Sequence, residues 1–198
     1  MLVSIIKSLR TAIVVFLITL AIAGSASTQG LVLQCDPSQT AANFTLGDVL
    51  HTVKGSFALK RGEIRFDPVS KTIGGEIVFD ATSGQSGNQV RDRKMHKDVL
   101  ESARYSEIGF KPDRIDGNVA ATGTSTVQVH GMFRIHGAEH EITAPAEVNL
   151  SADHWTVTTH FAVPYAKWGM KNPSLLFLRV GDSVEIAFHA GGGVVAAR

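Results

Sequence analysis

The sequence predicts an all-β domain, a closed antiparallel barrel of about eight strands with one short covering helix. Past residue 26, Gly and Pro punctuation separates many short segments rich in β-branched and aromatic residues, which is the pattern of antiparallel sheet. From Val119 onward apolar and polar residues alternate with the two-residue period of a strand. Only Gly87 to Phe110 reads as a helix among strands. Many strands and one helix favour a closed barrel over a sandwich, because closure removes the edges an antiparallel sheet must otherwise protect.

Residues 1–26 read as an export signal, with Lys7 and Arg10 as the positive region, Thr11 to Ala23 as the apolar core and Gly24-Ser25-Ala26 as a small-residue cleavage site. Residues 27–198 then form one barrel domain, expected in the periplasm or outside the cell. Removing Lys7 and Arg10 lowers the 19 basic residues to 17 against 18 acidic ones. A near-neutral chain with interspersed charges offers no electrostatic footprint for nucleic acid. Cys35 is the sole cysteine, so no internal disulfide can form. Val32-Leu33-Gln34-Cys35 is a poor lipobox, because Gln34 stands where a small residue is wanted, and a buried or weakly reactive thiol is the plainer reading.

The first strands are expected at Asn43 to Leu46, Val53 to Leu59 and Gly62 to Phe66, with Asp67-Pro68 opening a turn. Ile73 to Phe79 follows, with Ile73, Ile77 and Phe79 on one face. Ser83 to Asn88, S-G-Q-S-G-N, reads as a flexible connection into the helix. The helix carries Arg91, Asp92, Arg93, Lys94, Lys97, Asp98, Glu101, Arg104 and Glu107 around a sparse apolar set, Val90, Met95, Val99 and Leu100. Such a segment can cover one opening of a barrel, apolar side inward.

Ser102 to Ser106 closes the helix and Glu107 to Pro112 restarts the sheet. Val127, Val129, Phe133 and Ile135 share a face, with Gly131 marking a bulge or bend. His136-Gly137-Ala138-Glu139 is a tight turn, and Glu141 to Leu150 returns, with Pro145 at a bulge or edge. Trp155, Val157, Thr159, Phe161 and Val163 share one parity, and Val184, Ile186 and Phe188 end the sheet. Gly191 to Arg198 reads as a frayed tail.

The inward set is aromatic on almost every strand: Phe44, Phe57, Phe66, Phe79, Phe110, Phe133, Trp155, Phe161, Trp168 and Phe177. On the residues alone, a packed core is the stronger reading over a lined cavity. His130, His136 and His140 lie close in sequence, and His130 and His140 could face each other across the hairpin, yet a metal site needs three or four converging ligands; solvent-facing histidines are the default. Gly84-Gln85-Ser86-Gly87 is no nucleophile elbow, and Asp92 with Asp98 is explained by a solvated helix, so no catalytic residue is assigned. Arg91, Arg93, Lys94 and Lys97 form either an ordinary compensated helix surface or a basic rim.

R-D-x-x-M followed by L-E-S-A-x-Y-x-x-I-x-F, between Arg91 and Phe110, resembles the signature of the YceI-like family. Val53 to Pro68, Val129 to Ile142 and Gly181 to Phe188 extend the resemblance in order over nearly the whole exported chain. The family often has L-T-I-x-G-V-T-R-P where this chain has Phe133 to Glu141, and an aromatic pair where it has Val99-Leu100-Glu101-Ser102.

The resemblance implies a lipocalin-like barrel whose interior is an apolar tunnel for a polyisoprenoid tail, in a periplasmic, non-enzymatic carrier or store of a polyprenyl lipid or isoprenoid quinone. Under it the tunnel is lined by Phe44, Phe57, Phe66, Phe79, Phe110, Phe133, Trp155, Phe161 and Trp168, with Met95 and Val99 pointing into the mouth and Arg91, Arg93 and Lys97 ringing it. No cofactor is implied beyond the bound lipid or quinone. Transient contact with the membrane or with envelope redox proteins is open, as is a homodimer. The alternative is a metal- or quinone-linked redox protein of the cell envelope.

Overall fold

The computed structural model describes residues 30–47, 52–174 and 179–196. The expected export signal and Phe177 lie outside these residues. Ten strands form one antiparallel sheet: β1 (Leu31–Gln34), β2 (Ala41–Gly47), β3 (Thr52–Phe57), β4 (Leu59–Phe66), β5 (Ile73–Asp80), β6 (Glu107–Asp116), β7 (Gly123–Ile135), β8 (Ala138–Leu150), β9 (His154–Val163) and β10 (Val184–Ala196).

The sheet closes because β10 pairs on one side with β9 and on the other with β2 and then β1. β1 and β2 lie in line along β10, broken only by a short 3-10 turn at Pro37–Gln39, while β3 runs into β4 across Ala58 alone. Counting each interrupted pair once, the barrel has eight staves. The antiparallel register puts the β2–β3, β5–β6, β7–β8 and β9–β10 strand ends at one end. The connections 67–72, 117–122 and 151–153 lie at the other, while 35–40 interrupts its stave partway, between β1 and β2.

Inward faces follow the strand period. Trp155, Val157, Thr159, Phe161 and Val163 of β9 face in, as do Val184, Ile186 and Phe188 of β10. The two-residue β7–β8 hairpin has His136 and Gly137 both left-handed, φ 51° and 75°, the twist that matches its strands. At Gly137 a Cβ would also run into the Tyr105 ring.

Four expectations need correction. Gly191 onward is not a frayed tail: β10 continues to Ala196, with Gly191 to Gly193 paired to Thr156 to His154 and Val194 to Ala196 paired to β1. These glycines read as loose, but Gly192 lies so close to the Gln34 carbonyl oxygen that a Cβ would overlap it. The bulge is not in β7. It lies opposite Gly131, between Pro112 and Arg114 of β6, and Gly131 is bare because the Lys111 and Pro112 backbone presses against it. The connection before the helix is pinned rather than loose: Ser56 N donates to Gln85 O at 2.9 Å and Gln85 N to Ser56 O at 3.1 Å. Finally, Val90 is not buried with the rest of the apolar set: it stands at the edge of the mouth, 69 % exposed.

Candidate functional site

The barrel encloses a cavity of about 660 Å³ that runs from the helix-covered end down to Trp155. Ten of the eleven residues assigned to it from sequence line it: Phe44, Phe57, Phe66, Phe79, Met95, Val99, Phe110, Phe133, Trp155 and Phe161. At the closed end Trp155 is 2 % exposed, and its Nε1 donates to the Gln34 carbonyl at 3.1 Å, so the indole is satisfied as it plugs the barrel. Midway, Phe133 meets Phe161 edge-on with centroids 5.8 Å apart, and Phe79 meets Phe188 likewise at 6.0 Å. Nearer the mouth Phe44 and Phe57 tilt against each other at 5.5 Å. The walls therefore touch one another around a lumen rather than filling it.

Trp168 is the exception. It does not line the cavity: its ring stacks on His140 at 3.9 Å with 4° between planes, and lies 5.9 Å from Phe133. The β8–β9 ladder covers only Ala146 to Leu150 of β8, so the 164–170 loop packs Trp168 over the stretch of β8 that lacks a β9 partner. A loop residue has no period from which sequence could read its direction.

The lid is α1 (Gln89–Lys94), continued by a π turn at Met95–Val99. Asn88 caps it, its Oδ1 accepting from Val90 N at 3.0 Å and Arg91 N at 3.1 Å. The π turn aims Met95, Val99 and the buried Leu100 into the mouth. Met95 and Phe57 close over Gly84, where any side chain would collide with both. His96, unassigned from sequence, fastens the lid: its Nε2 donates to the Gly84 carbonyl at 2.8 Å, and its Nδ1 then accepts from Ser102 Oγ at 2.9 Å.

The rim differs from the sequence assignment. Arg91 lines the mouth, but Arg93 and Lys97 are exposed on the outer side of the lid and do not; Lys94 takes their place. Arg91 Nε and Nη2 donate to Ser86 Oγ and Ser86 O, each at 2.7 Å, and Ser86 Oγ donates onward to Asp92 Oδ1. Lys94 Nζ donates to the Pro173 carbonyl at 3.0 Å, and among the described residues neither cation forms an ion pair. Below them the lining is almost wholly apolar. Its deepest hydroxyl, Thr159 Oγ1, is buried without a partner.

Outside the lumen, His130 Nε2 contacts Asp116 Oδ2 at 2.7 Å and its Nδ1 contacts Thr143 Oγ1 at 2.6 Å. His140 sits opposite Phe133, not His130, so the two histidines do not face each other. Among the described residues no group of three His, Cys, Asp or Glu side chains converges as metal ligands would. Cys35 is half-buried, and burial pushes its thiol up to about 11.

The sequence profile of the YceI-like domain matches residues 33–191. No curated protein matches the chain. Solved structures share the fold at low identity. BcnA of Burkholderia cenocepacia is 18 % identical with a TM-score of 0.68, over 80 % of this chain and 99 % of its own. A polyisoprenoid binding domain from Saccharophagus degradans, implicated in plant cell wall breakdown, is 18 % identical with a TM-score of 0.66, over 85 % and 99 %. A YceI protein of Campylobacter jejuni is 17 % identical with a TM-score of 0.60, over 73 % and 86 %. With the profile spanning most of the sequence, the chain belongs to the YceI-like family.

Proposed function

We propose that this protein binds the apolar chain of an isoprenoid lipid, a polyprenyl lipid or an isoprenoid quinone, inside the barrel, and carries or stores it without catalysing a reaction. The observation that carries this reading is the lumen: about 660 Å³, aromatic and aliphatic from Trp155 to Met95, and opening under a lid. That volume suits a small-molecule site. A bound tail leaves water at about 0.8 kcal/mol per buried methylene, so affinity follows chain length more than headgroup. The Saccharophagus degradans relative, described as polyisoprenoid-binding, supports the choice of ligand.

Export precedes this role. The charged, apolar and small-residue succession in residues 1–26 supports removal of a leader between Gly24 and Gly30 and work in the periplasm or outside the cell. N-terminal sequencing of the exported protein checks it, and an intact Met1 on membrane-held protein would overturn it.

Organic extraction and mass spectrometry of protein purified from its own host should release an isoprenoid lipid. Phe79→Trp or Phe161→Trp should narrow the lumen and shift retention to shorter chains. Protein that yields no lipid, or unaltered chain-length selectivity in both variants, would sink the reading.

A further inference from the structure

We propose that the mouth end of the barrel docks on an anionic lipid bilayer, with Val90 entering the acyl region and the cations of the lid meeting lipid phosphates. Val90 is 69 % exposed on α1 and also lines the mouth of the lumen. Arg91, Arg93, Lys94 and Lys97 follow it on the same lid, and none of them forms an ion pair among the described residues. The acid nearest in sequence, Asp92, is held inward by the backbone N–H and hydroxyl of Ser86. An exposed apolar side chain on a lid that also carries cations without ion pairs is the pattern of a surface that meets a negatively charged membrane.

The two ends of the barrel differ in charge in the same sense. The described residues of the connections at the mouth end, 81–106, 136–137, 164–174 and 179–183, hold eight Lys or Arg against four Asp or Glu. The connections at the closed end, 67–72, 117–122 and 151–153, hold one against two. Such an axial asymmetry orients the barrel mouth-first at an anionic surface. The purpose of docking rests on the lipid-tunnel reading: a chain too apolar for water passes from bilayer to lumen only where the opening meets the bilayer.

The test uses co-sedimentation with phosphatidylcholine vesicles, with and without phosphatidylglycerol, comparing the wild-type protein and R93Q/K97Q in the same processed form. Both substituted side chains lie outside the lumen. The wild type should favour the phosphatidylglycerol vesicles and lose that preference as salt rises. Each cation near the surface is worth about a fivefold change in binding, so the double variant should bind them roughly 25-fold more weakly. Equal binding of both vesicle types by the wild type, or undiminished binding by R93Q/K97Q, would overturn the proposal.

A fluorophore on V90C, in a C35S background, should shift to the blue with phosphatidylglycerol vesicles. The same label on V69C, 66 % exposed at the closed end, should not. Equal shifts, or none at Val90, would likewise overturn it. Extraction of lipid from R93Q/K97Q is read separately: an empty lumen in both proteins with vesicle binding intact counts against the tunnel reading and leaves the docking surface standing.

Discussion

Thr159 brings a hydroxyl into an apolar lumen and gives it no partner, an arrangement that costs about 1–3 kcal/mol. Thr159→Val keeps the β-branched shape and removes the orphan group. The ligand-free variant should unfold about 2–4 °C higher per kcal/mol recovered, by calorimetry. A headgroup at the mouth would meet Arg91 and Lys94. Replacing both with Gln should weaken a polyprenyl phosphate by about 1.5–3 kcal/mol per lost contact and spare an uncharged quinone, measured by competitive loading. Equal weakening of both ligands would make these residues fasteners of the lid alone. Side-chain direction was legible where it follows a strand's two-residue alternation, as from Trp155 to Val163. It was not legible for Arg91 against Arg93, because which side of a six-residue helix faces the mouth depends on the Asn88 cap and on the π turn that follows.

At the scale of the element, the lid is too short to persist on its own and is held by side chains at both ends. Asn88 caps its start, Lys94 ties it to Pro173, and His96 ties its π turn to Gly84 and Ser102. Asn88→Ala should cost about 1 kcal/mol. The loss should appear as faster amide exchange within residues 84–106 while β7 and β8 keep their protection; uniform acceleration would show that the lid does not open separately from the barrel. The helix was legible from its charge density. Its attachments were not, since Gly84 and Pro173 come near it only in the fold. β10 was misread for a related reason: three glycines signal freedom in a sequence, whereas here their bareness admits the Gln34 backbone.

Across the whole molecule, Lys60, Arg61, Glu76, Glu107 and Arg134 join four neighbouring staves into one ionic band on the outer wall. The Arg61 guanidinium, aided by Lys60 and Arg134, holds the Glu107 carboxyl down at about 2. A depressed carboxylate stabilises the fold fully above its ordinary value of about 4.3, and that stability is lost as pH falls from there towards about 2. Glu107→Gln should therefore flatten the acid limb of stability between those values, leaving its slope unaltered above pH 5, as denaturant titrations at successive pH values will record. The strand count and inward faces were readable from the sequence. This band was not, because its members span residues 60 to 134 and become neighbours only through register. The seam where β10 meets β9, β2 and β1 also sets an order of events. Of the described strands, β10 is made last and is the one that joins β9 to the first two, and contacts this distant in sequence form slowly. A chain lacking β10 cannot close the barrel, so a nascent copy stays open until that strand has been made.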